Sequence, residues 1–215
     1  MQKCRGNNNL LHAFIYSCNI GMVRVVQKVG KEIFYNYLAK FGFGKLTGIE
    51  LAEEKPGFID NETTVSAARF LNNSFGQGLQ VTQIQLAAAY GVLINGGQYI
   101  KPTIVSGIAK KTANSEEVQY TESLPQILSQ IIRPEVSEEM KSALFNIMTT
   151  NTQYASAQVK EYRLGAKSGT AQIAFRGKYQ RGNGWTQATF AGAITMDDPK
   201  YLVLIWVSRP RSSQW

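Results

Sequence analysis

At 215 residues, the chain is long enough for one domain with its own core, or for two small ones. Apolar residues make up 44% and charged residues 18%, and the longest apolar run, 201–207, is far shorter than the roughly 20 residues of a membrane span. We expect neither a transmembrane helix nor a secretory signal in this chain. One histidine and two cysteines exclude a multi-histidine zinc site and a disulfide framework, and Cys4 and Cys18 are expected to be free thiols. A Ser-His-Asp triad would have to use His12.

The formal net charge of +8 is distributed unevenly. Residues 1–45 contain seven Lys/Arg and one acid, residues 46–159 contain seven and eleven, and residues 160–215 contain nine and three. Such basic ends suit an anionic partner such as nucleic acid, an acidic membrane surface or a carboxylate-bearing polymer. However, no basic cluster exceeds the pair Lys110-Lys111, and no zinc-finger or RNP1 pattern occurs. We therefore favour a solvated basic surface and expect no nucleic acid as partner.

The first part of the chain has the spacing of helices. Apolar residues recur at helical intervals in 22–29 and again in 33–41, and Gly30 interrupts the pattern between them. This spacing predicts two helices joined near that glycine. The following stretch, 42–73, contains several Gly residues and a Pro-Gly pair and is predicted to be rich in turns.

Two more helices are marked by their N-terminal residues. Thr82 and Gln85 form a capping box in front of an apolar run, and the sequence Asn-Gly-Gly at 95–97 predicts the end of that helix. Ser137, followed by two glutamates, predicts the start of another helix that reaches about Thr150.

The pattern changes to period two in the last quarter of the chain. The apolar runs 189–195 and 201–207 flank a short polar turn, which predicts a β-hairpin. A third strand is predicted over 164–174. Consecutive strands with short connections predict an antiparallel sheet with the preceding helices on its face, and hence an α+β fold. We divide the chain into a mainly helical part, 1–159, and a sheet part, 160–215.

Two short motifs contain residues capable of chemistry. Ser17 and Asn19 form an S-x-N motif where the first helix is predicted to break, and residues 167–170 read K-S-G-T within the third strand. Both motifs accompany S-x-x-K in penicillin-recognising serine enzymes. Each alone is a weak signal, because Ser17 could be a helix cap and Gly169 a strand bulge.

Strand alternation indicates which residues of the second motif could act together. It places two hydroxyls and an amide on one face, where they could bind a carboxylate: Ser168, Thr170 and Gln172. Lys167 points to the other face, and if it meets the Ser17 loop its charge would favour a hydrogen-bonded or deprotonated hydroxyl there. Gly169 would let a substrate backbone lie close. Together these residues outline an acyl-transfer site.

Further segments match one known family in the same order. They are S-F-G-Q-G at 74–78, V-T-Q-I-Q-L-A at 81–87, N-G-G at 95–97 and D-P-K-Y at 198–201. With the two motifs, they make nearly all of the chain resemble the transpeptidase domain of class B penicillin-binding proteins, the enzymes that cross-link peptidoglycan. The resemblance implies the penicillin-binding, serine β-lactamase-like fold. β-Lactamases and DD-carboxypeptidases share the two motifs, but the stretch 75–97 favours class B.

The resemblance implies a role for each motif residue. Ser17 would relay a proton between the nucleophile and the leaving amine, Asn19 would bind the amide of the acyl donor, and Lys167 would hold this network electrostatically. The Ser168 and Thr170 hydroxyls would bind the terminal carboxylate of a D-alanyl-D-alanine donor or a β-lactam, and the main-chain N–H of Thr170 would be one of two oxyanion donors. No metal or cofactor is expected.

One part of the family pattern is missing. None of the fourteen serines has Lys three positions later; Ser66 has Arg69 at that spacing. The family nucleophile lies roughly fifty residues or more before S-x-N, and the last residues, 209–215, end where the family has a further helix. We interpret the chain as the C-terminal part of a transpeptidase domain, cut at both ends and lacking the nucleophile. Alone it is expected to be inactive and poorly stable, because its strand edges would be unpaired.

The resemblance also implies a setting for the parent protein. It would be a membrane-anchored peptidoglycan DD-transpeptidase at the extracytoplasmic face of the bacterial cytoplasmic membrane. Its partners would be peptidoglycan stem peptides, β-lactams, and membrane proteins of cell division or elongation. Two alternatives remain open: a catalytically dead scaffold or β-lactam sensor with the same fold, and a basic module that binds an anionic polymer.

Overall fold

The computed structural model describes residues 9–111, 118–180, 182 and 184–211. Its α helices are α1 (Leu10–Ile15), α2 (Asn19–Val29), α3 (Lys31–Lys40), α4 (Ala67–Asn73), α5 (Gln83–Ile94) and α6 (Pro134–Thr150), and a 3₁₀ helix follows at Thr152–Ala157. Its strands are β1 (Gln98–Ile100), β2 (Gly107–Lys111), β3 (Val118–Glu122), β4 (Ile127–Gln130), β5 (Gly165–Gln172), β6 (Ala174–Phe175), β7 (Lys178–Tyr179), β8 (Thr186–Ala193) and β9 (Leu202–Ser208).

The main sheet is antiparallel and has the order β5-β8-β9. These are the predicted third strand and the two strands of the predicted hairpin, so the antiparallel sheet and the α+β class are confirmed. The register pairs Lys167 with Ala191 and Ser168 with Phe190. On the side of β5 away from β8, no strand of the described residues pairs with it. β5 therefore presents a free edge.

Three helices cover one face of this sheet. Their shared core is formed by buried residues of α1, α5, α6, β8 and the turn after β8: Ile15, Tyr90, Ile94, Leu144, Ile147, Ala191, Ala193 and Met196. Leu144 and Ile147 are almost completely excluded from solvent. Because α1 packs into this core, the loop that follows it is held beside β5. A smaller cluster, Val26, Tyr35, Val65 and Phe70, packs α2, α3 and α4 together.

The local signals for the early helices are confirmed. Gly30 separates α2 from α3 and has a φ of 85°, a left-handed value that glycine adopts without a steric penalty. Both hydrogen bonds of the capping box form, since the Thr82 side chain accepts from the Gln85 N–H and the Gln85 side chain accepts from the Thr82 N–H. α5 ends with Asn95 as its C-cap.

The predicted start of α6 is wrong by three residues. The helix begins at Pro134 and its N-cap is Arg133, because proline is well suited to the first helical turn. Ser137 is instead fully buried within the helix. Its hydroxyl donates to the Leu93 carbonyl and accepts from the Gly96 N–H, so this serine ties α6 to the end of α5.

Some elements were not predicted. The stretch expected to be rich in turns also contains α4, whose N-cap Ser66 accepts from the Arg69 N–H. The part expected to be mainly helical contains β1, β2, β3 and β4, which pair as β1-β4 and β2-β3. These strands are short, and β4 is exposed along its whole length. Strands of three to five residues are too short to show the alternation that makes a strand visible in sequence.

Among the described helices, none combines the length and the apolar character needed to cross a membrane.

Gln85 provides a test of the fold. Its side-chain N–H₂ donates to the carbonyls of Lys45 at 2.6 Å and Pro56 at 2.8 Å, while its oxygen completes the capping box. Because Gln85 is fully buried, Gln85→Ala removes these bonds and leaves a cavity, and we expect it to lower the free energy of unfolding by about 2–4 kcal/mol. Gln83→Ala, at an exposed position of the same helix, should change it by less than about 0.5 kcal/mol. Urea unfolding measures both, and equal losses would contradict this role.

Candidate active site

The S-x-N motif lies in a tight turn between α1 and α2. Ser17 is exposed and has a φ of 51°, a left-handed conformation that is uncommon for serine. The N-cap of α2 is Cys18, and Asn19 is the first residue of that helix. The alternative that Ser17 serves as a helix cap is therefore wrong. Cys18 is disulfide-bonded, which corrects the expectation of a free thiol at this position.

The turn is fixed by close packing of the two helices. The Ser17 N–H donates to the Phe14 carbonyl, and the Cys18 N–H donates to the Ala13 carbonyl at 2.8 Å. A Cβ on Gly21 would lie 2.6 Å from the Cβ of Ala13. Only glycine therefore allows α2 to approach α1 closely enough to form this turn.

Lys167 joins this turn to the sheet. Its Nζ donates to Ser17 Oγ at 2.5 Å and to the carbonyl of Ser168 at 2.6 Å. This bond joins two residues that are 150 positions apart in sequence. It confirms the expectation that the two motifs meet. Burial lowers the pKa of the Lys167 amine, which makes its proton easier to release than that of an exposed lysine.

The K-S-G-T residues lie in β5 with unbroken pairing to β8. Gly169 pairs with Thr189 in continuous register, so the alternative of a strand bulge at this glycine is wrong. A Cβ on Gly169 would lie 2.6 Å from Thr189 Oγ1. A side chain at position 169 would therefore force Thr189 to move, so the neighbouring strand favours glycine here, in addition to any approaching substrate.

A cleft of about 1050 Å³ lies between the turn and the strand, a size typical of sites for small ligands. Its lining includes six of the seven predicted site residues: Ser17, Asn19, Lys167, Ser168, Gly169 and Thr170. Gln172 is not part of the lining. It ends β5, and its carbonyl accepts from the Gln77 side chain at 3.3 Å.

The lining also contains residues that were not predicted from the sequence, among them Asn151 and Tyr154. Asn151 is buried, and its side chain donates to the Ile15 carbonyl just before the S-x-N turn. The Tyr154 hydroxyl lies 2.6 Å from Ser168 Oγ. Asn151 also caps the 3₁₀ helix by accepting from the Gln153 N–H. An asparagine after a helix is a visible capping signal, but its bond to a residue 136 positions away is not.

The arrangement is suited to proton transfer beside an anion-binding strand. A lysine and a serine in hydrogen-bond contact can move a proton to or from a reacting group. The hydroxyls of Ser168 and Thr170, and the outward N–H groups of β5, which is an edge strand within the described residues, can bind a carboxylate or an extended peptide. Within the described ranges, no cluster of three or more His, Cys, Asp or Glu side chains could hold a metal ion.

Comparison with known proteins identifies similar chains. A family model described as the penicillin binding protein transpeptidase domain matches residues 1–214. Stage V sporulation protein D of Bacillus subtilis is 34% identical over 201 residues, which are 92% of this chain and 30% of that protein. Penicillin-binding protein PbpB of Mycolicibacterium smegmatis is 30% identical over 203 residues, with 91% and 30% covered. The chain thus spans about 30% of the length of these curated relatives.

Solved structures show the same architecture. Penicillin-binding protein 3 from Mycobacterium tuberculosis, complexed with aztreonam, superimposes with a TM-score of 0.83 at 26% identity, covering 95% of this chain and 46% of that one. Penicillin-binding protein 2X from Streptococcus thermophilus gives a TM-score of 0.84 at 24% identity, covering 96% and 31%. At that identity the second match shows the fold alone. Both matches agree with the helix and sheet arrangement described above.

Asn151 tests how the S-x-N turn is held. Asn151→Ala removes the bond to the Ile15 carbonyl and leaves that buried acceptor unpaired, so we expect a loss of about 1–3 kcal/mol in the free energy of unfolding. We also expect faster amide hydrogen exchange in the Ser17 turn, because its attachment to the 3₁₀ helix is lost. Asn72→Ala, at an exposed position of α4, is the matched control. Unchanged exchange in the Ser17 turn of Asn151→Ala would contradict the role.

Proposed function

Because the chain belongs to the penicillin-binding protein transpeptidase family, as its class B resemblance predicted, we propose that the protein carrying it is a peptidoglycan DD-transpeptidase that is also acylated by β-lactams. The observation that best supports this is the hydrogen bond between Lys167 and Ser17 in a cleft beside the K-S-G-T strand. It brings a proton-transfer pair next to hydroxyls suited to a carboxylate.

The reaction is a two-step acyl transfer. A serine nucleophile attacks the carbonyl between the two terminal D-alanines of a stem peptide, forms an acyl-enzyme and releases D-alanine. The amine of a second stem peptide then attacks the ester and restores the serine. In the first step Ser17 passes the nucleophile's proton to the leaving amine. In the second step it passes a proton from the attacking amine to the departing oxygen of the nucleophilic serine. The charge of Lys167 keeps the Ser17 oxygen hydrogen-bonded throughout.

The remaining lining residues bind the donor. The hydroxyls of Ser168 and Thr170 donate to the terminal carboxylate, and the main-chain N–H of Thr170 stabilises the oxyanion that develops on the attacked carbonyl. Asn19, at the start of α2 and in the lining, binds the donor amide with its side chain. We assign Gln172 no role in donor binding, because it lies outside the lining of the cleft.

We assign the nucleophile to a segment outside this chain. None of the fourteen serines in the sequence has a lysine three positions later, and the chain spans about 30% of its curated relatives. The 215 residues would then supply the proton relay and the carboxylate site but would not be acylated alone.

The setting follows from the same family. We place the parent protein at the extracytoplasmic face of the bacterial cytoplasmic membrane, where stem peptides are available, with membrane proteins of division or elongation as partners. Binding of β-lactams is supported by the penicillin-binding protein 3 structures from Mycobacterium tuberculosis, which are complexes with aztreonam and ampicillin. A β-lactam would enter as a carboxylate-bearing or similarly anionic acyl donor.

A second candidate function fits the same observation. The absence of S-x-x-K from the chain is also what a catalytically dead scaffold or β-lactam sensor would show. A full-length coding sequence that still lacks this motif would favour the sensor, and one that contains it would favour the enzyme.

Labelling with a fluorescent penicillin tests the proposal. The 215-residue chain should show no covalent label after denaturing electrophoresis, whereas the full-length protein should be labelled. Prior incubation of the full-length protein with unlabelled ampicillin should remove the signal. Covalent labelling of the short chain would contradict the assignment of the nucleophile, and an unlabelled full-length protein would contradict the enzymatic function.

Thr170 tests the carboxylate site. Thr170→Val in the full-length protein keeps the side-chain shape but removes one hydrogen bond to a charged group, so we expect the second-order rate constant for acylation by penicillin to fall about 10- to 100-fold. Thr121→Val, at an exposed position of β3 outside the cleft, is the matched control and should have the rate of the unmodified protein. An unchanged rate for Thr170→Val would rule out this role of the hydroxyl.

A further inference from the structure

The hydroxyl of Tyr154 contacts the proposed carboxylate site directly. It lies 2.6 Å from Ser168 Oγ, within the normal range for a hydrogen bond between two hydroxyls. Both residues line the cleft. Tyr154 belongs to neither motif, and its position in the 3₁₀ helix gives no sequence signal for a site residue.

The tyrosine is held in place from two sides. Its ring packs against Phe190, with the ring centroids 5.9 Å apart, and Phe190 is the register partner of Ser168. Its main-chain N–H donates to the Asn151 carbonyl at 3.0 Å, and Asn151 in turn is bonded to Ile15 before the S-x-N turn. The Tyr154 hydroxyl therefore has a fixed position relative to both motifs.

The contact between the two hydroxyls affects the direction in which the Ser168 hydroxyl can donate its proton. A serine hydroxyl rotates freely about its C–O bond and has a single proton to donate. If Tyr154 donates to Ser168 Oγ, the serine proton is turned away from the tyrosine and remains available for a third group. Hydrogen bonds in such a chain polarise one another, so donation by the phenol strengthens the serine as a donor to an anion.

We propose that Tyr154 is a positioning residue that orients the Ser168 hydroxyl toward the terminal carboxylate of the acyl donor. This inference rests on the proposed function, since it requires the carboxylate to bind at Ser168 and Thr170. Tyr154 acts through Ser168 and sets how strongly the site distinguishes a donor with a free carboxylate from a donor without one.

Packing alone does not account for the tyrosine. A phenylalanine at 154 could make the same ring contact with Phe190. Packing therefore requires the ring of Tyr154 but not its hydroxyl. It lies in a cleft that also contains the proton-transfer pair Lys167 and Ser17. Tyr154→Phe therefore separates the two contributions, because it keeps the ring and removes the donor.

The test compares two donors in the full-length protein. One is a stem peptide that ends in D-alanyl-D-alanine with a free carboxylate, and the other is the same peptide with a C-terminal amide. For Tyr154→Phe we expect the second-order acylation rate constant to fall about tenfold for the carboxylate donor and to change less than about twofold for the amide. Tyr162→Phe is the matched control, because Tyr162 is 53% exposed and outside the cleft lining; it should match the unmodified protein with both donors.

A second variant shows whether Tyr154 acts through Ser168. Tyr154→Phe combined with Ser168→Ala should be no slower with the carboxylate donor than Ser168→Ala alone. A double variant that is slower by the product of the two single effects overturns the inference. The same is true if Tyr154→Phe slows both donors equally, because that pattern indicates a structural role, or if it slows neither.

These outcomes are distinct from failure of the proposed function. If the unmodified full-length protein is acylated by the carboxylate donor and Tyr154→Phe behaves like it, only the role of Tyr154 is overturned. If the unmodified protein is acylated by neither donor nor by penicillin, the proposed function is contradicted and the role of Tyr154 with it.

Discussion

The hydrogen bond from Lys167 to Ser17 is the contact on which the whole account depends. It connects a turn between two helices with the edge strand of the main sheet, across 150 positions of sequence. Without it, S-x-N and K-S-G-T would be two short motifs of the kind that occur by chance. With it, they become opposite walls of one cleft, and the lowered pKa of the lysine makes the pair suited to proton transfer.

Packing of the helices on the sheet sets the position of this contact. Ile15 is the last residue of α1 and lies in the core that α1 shares with α5, α6 and β8. Asn151, the C-cap of α6, donates to the Ile15 carbonyl. A second path runs through Tyr154 to Ser168, the residue next to Lys167. The two motifs are thus joined directly by the lysine and indirectly by the 3₁₀ helix, which forms a closed ring of contacts around the cleft.

Sequence patterns predicted the parts of the molecule that depend on local periodicity. The three strands of the main sheet and the capping box of α5 both depend on residues that are neighbours in sequence. The start of α6 was misplaced because proline favours the first helical turn. α4 and the four short strands before α6 were missed because such short elements contain too few residues for a clear periodic pattern. Tyr154 and Asn151 were missed for a different reason, since their contacts join residues far apart in sequence and only the folded chain brings them together.

A double-mutant cycle on Ser17 and Lys167 tests the central contact most directly. The rate constant for acylation by penicillin would be measured for the full-length protein with Ser17→Ala, with Lys167→Met and with both changes. If the lysine acts through its bond to Ser17, the double variant should be no slower than the slower single variant, because the second change removes a partner that is already lost. Multiplication of the two single effects in the double variant would contradict the account.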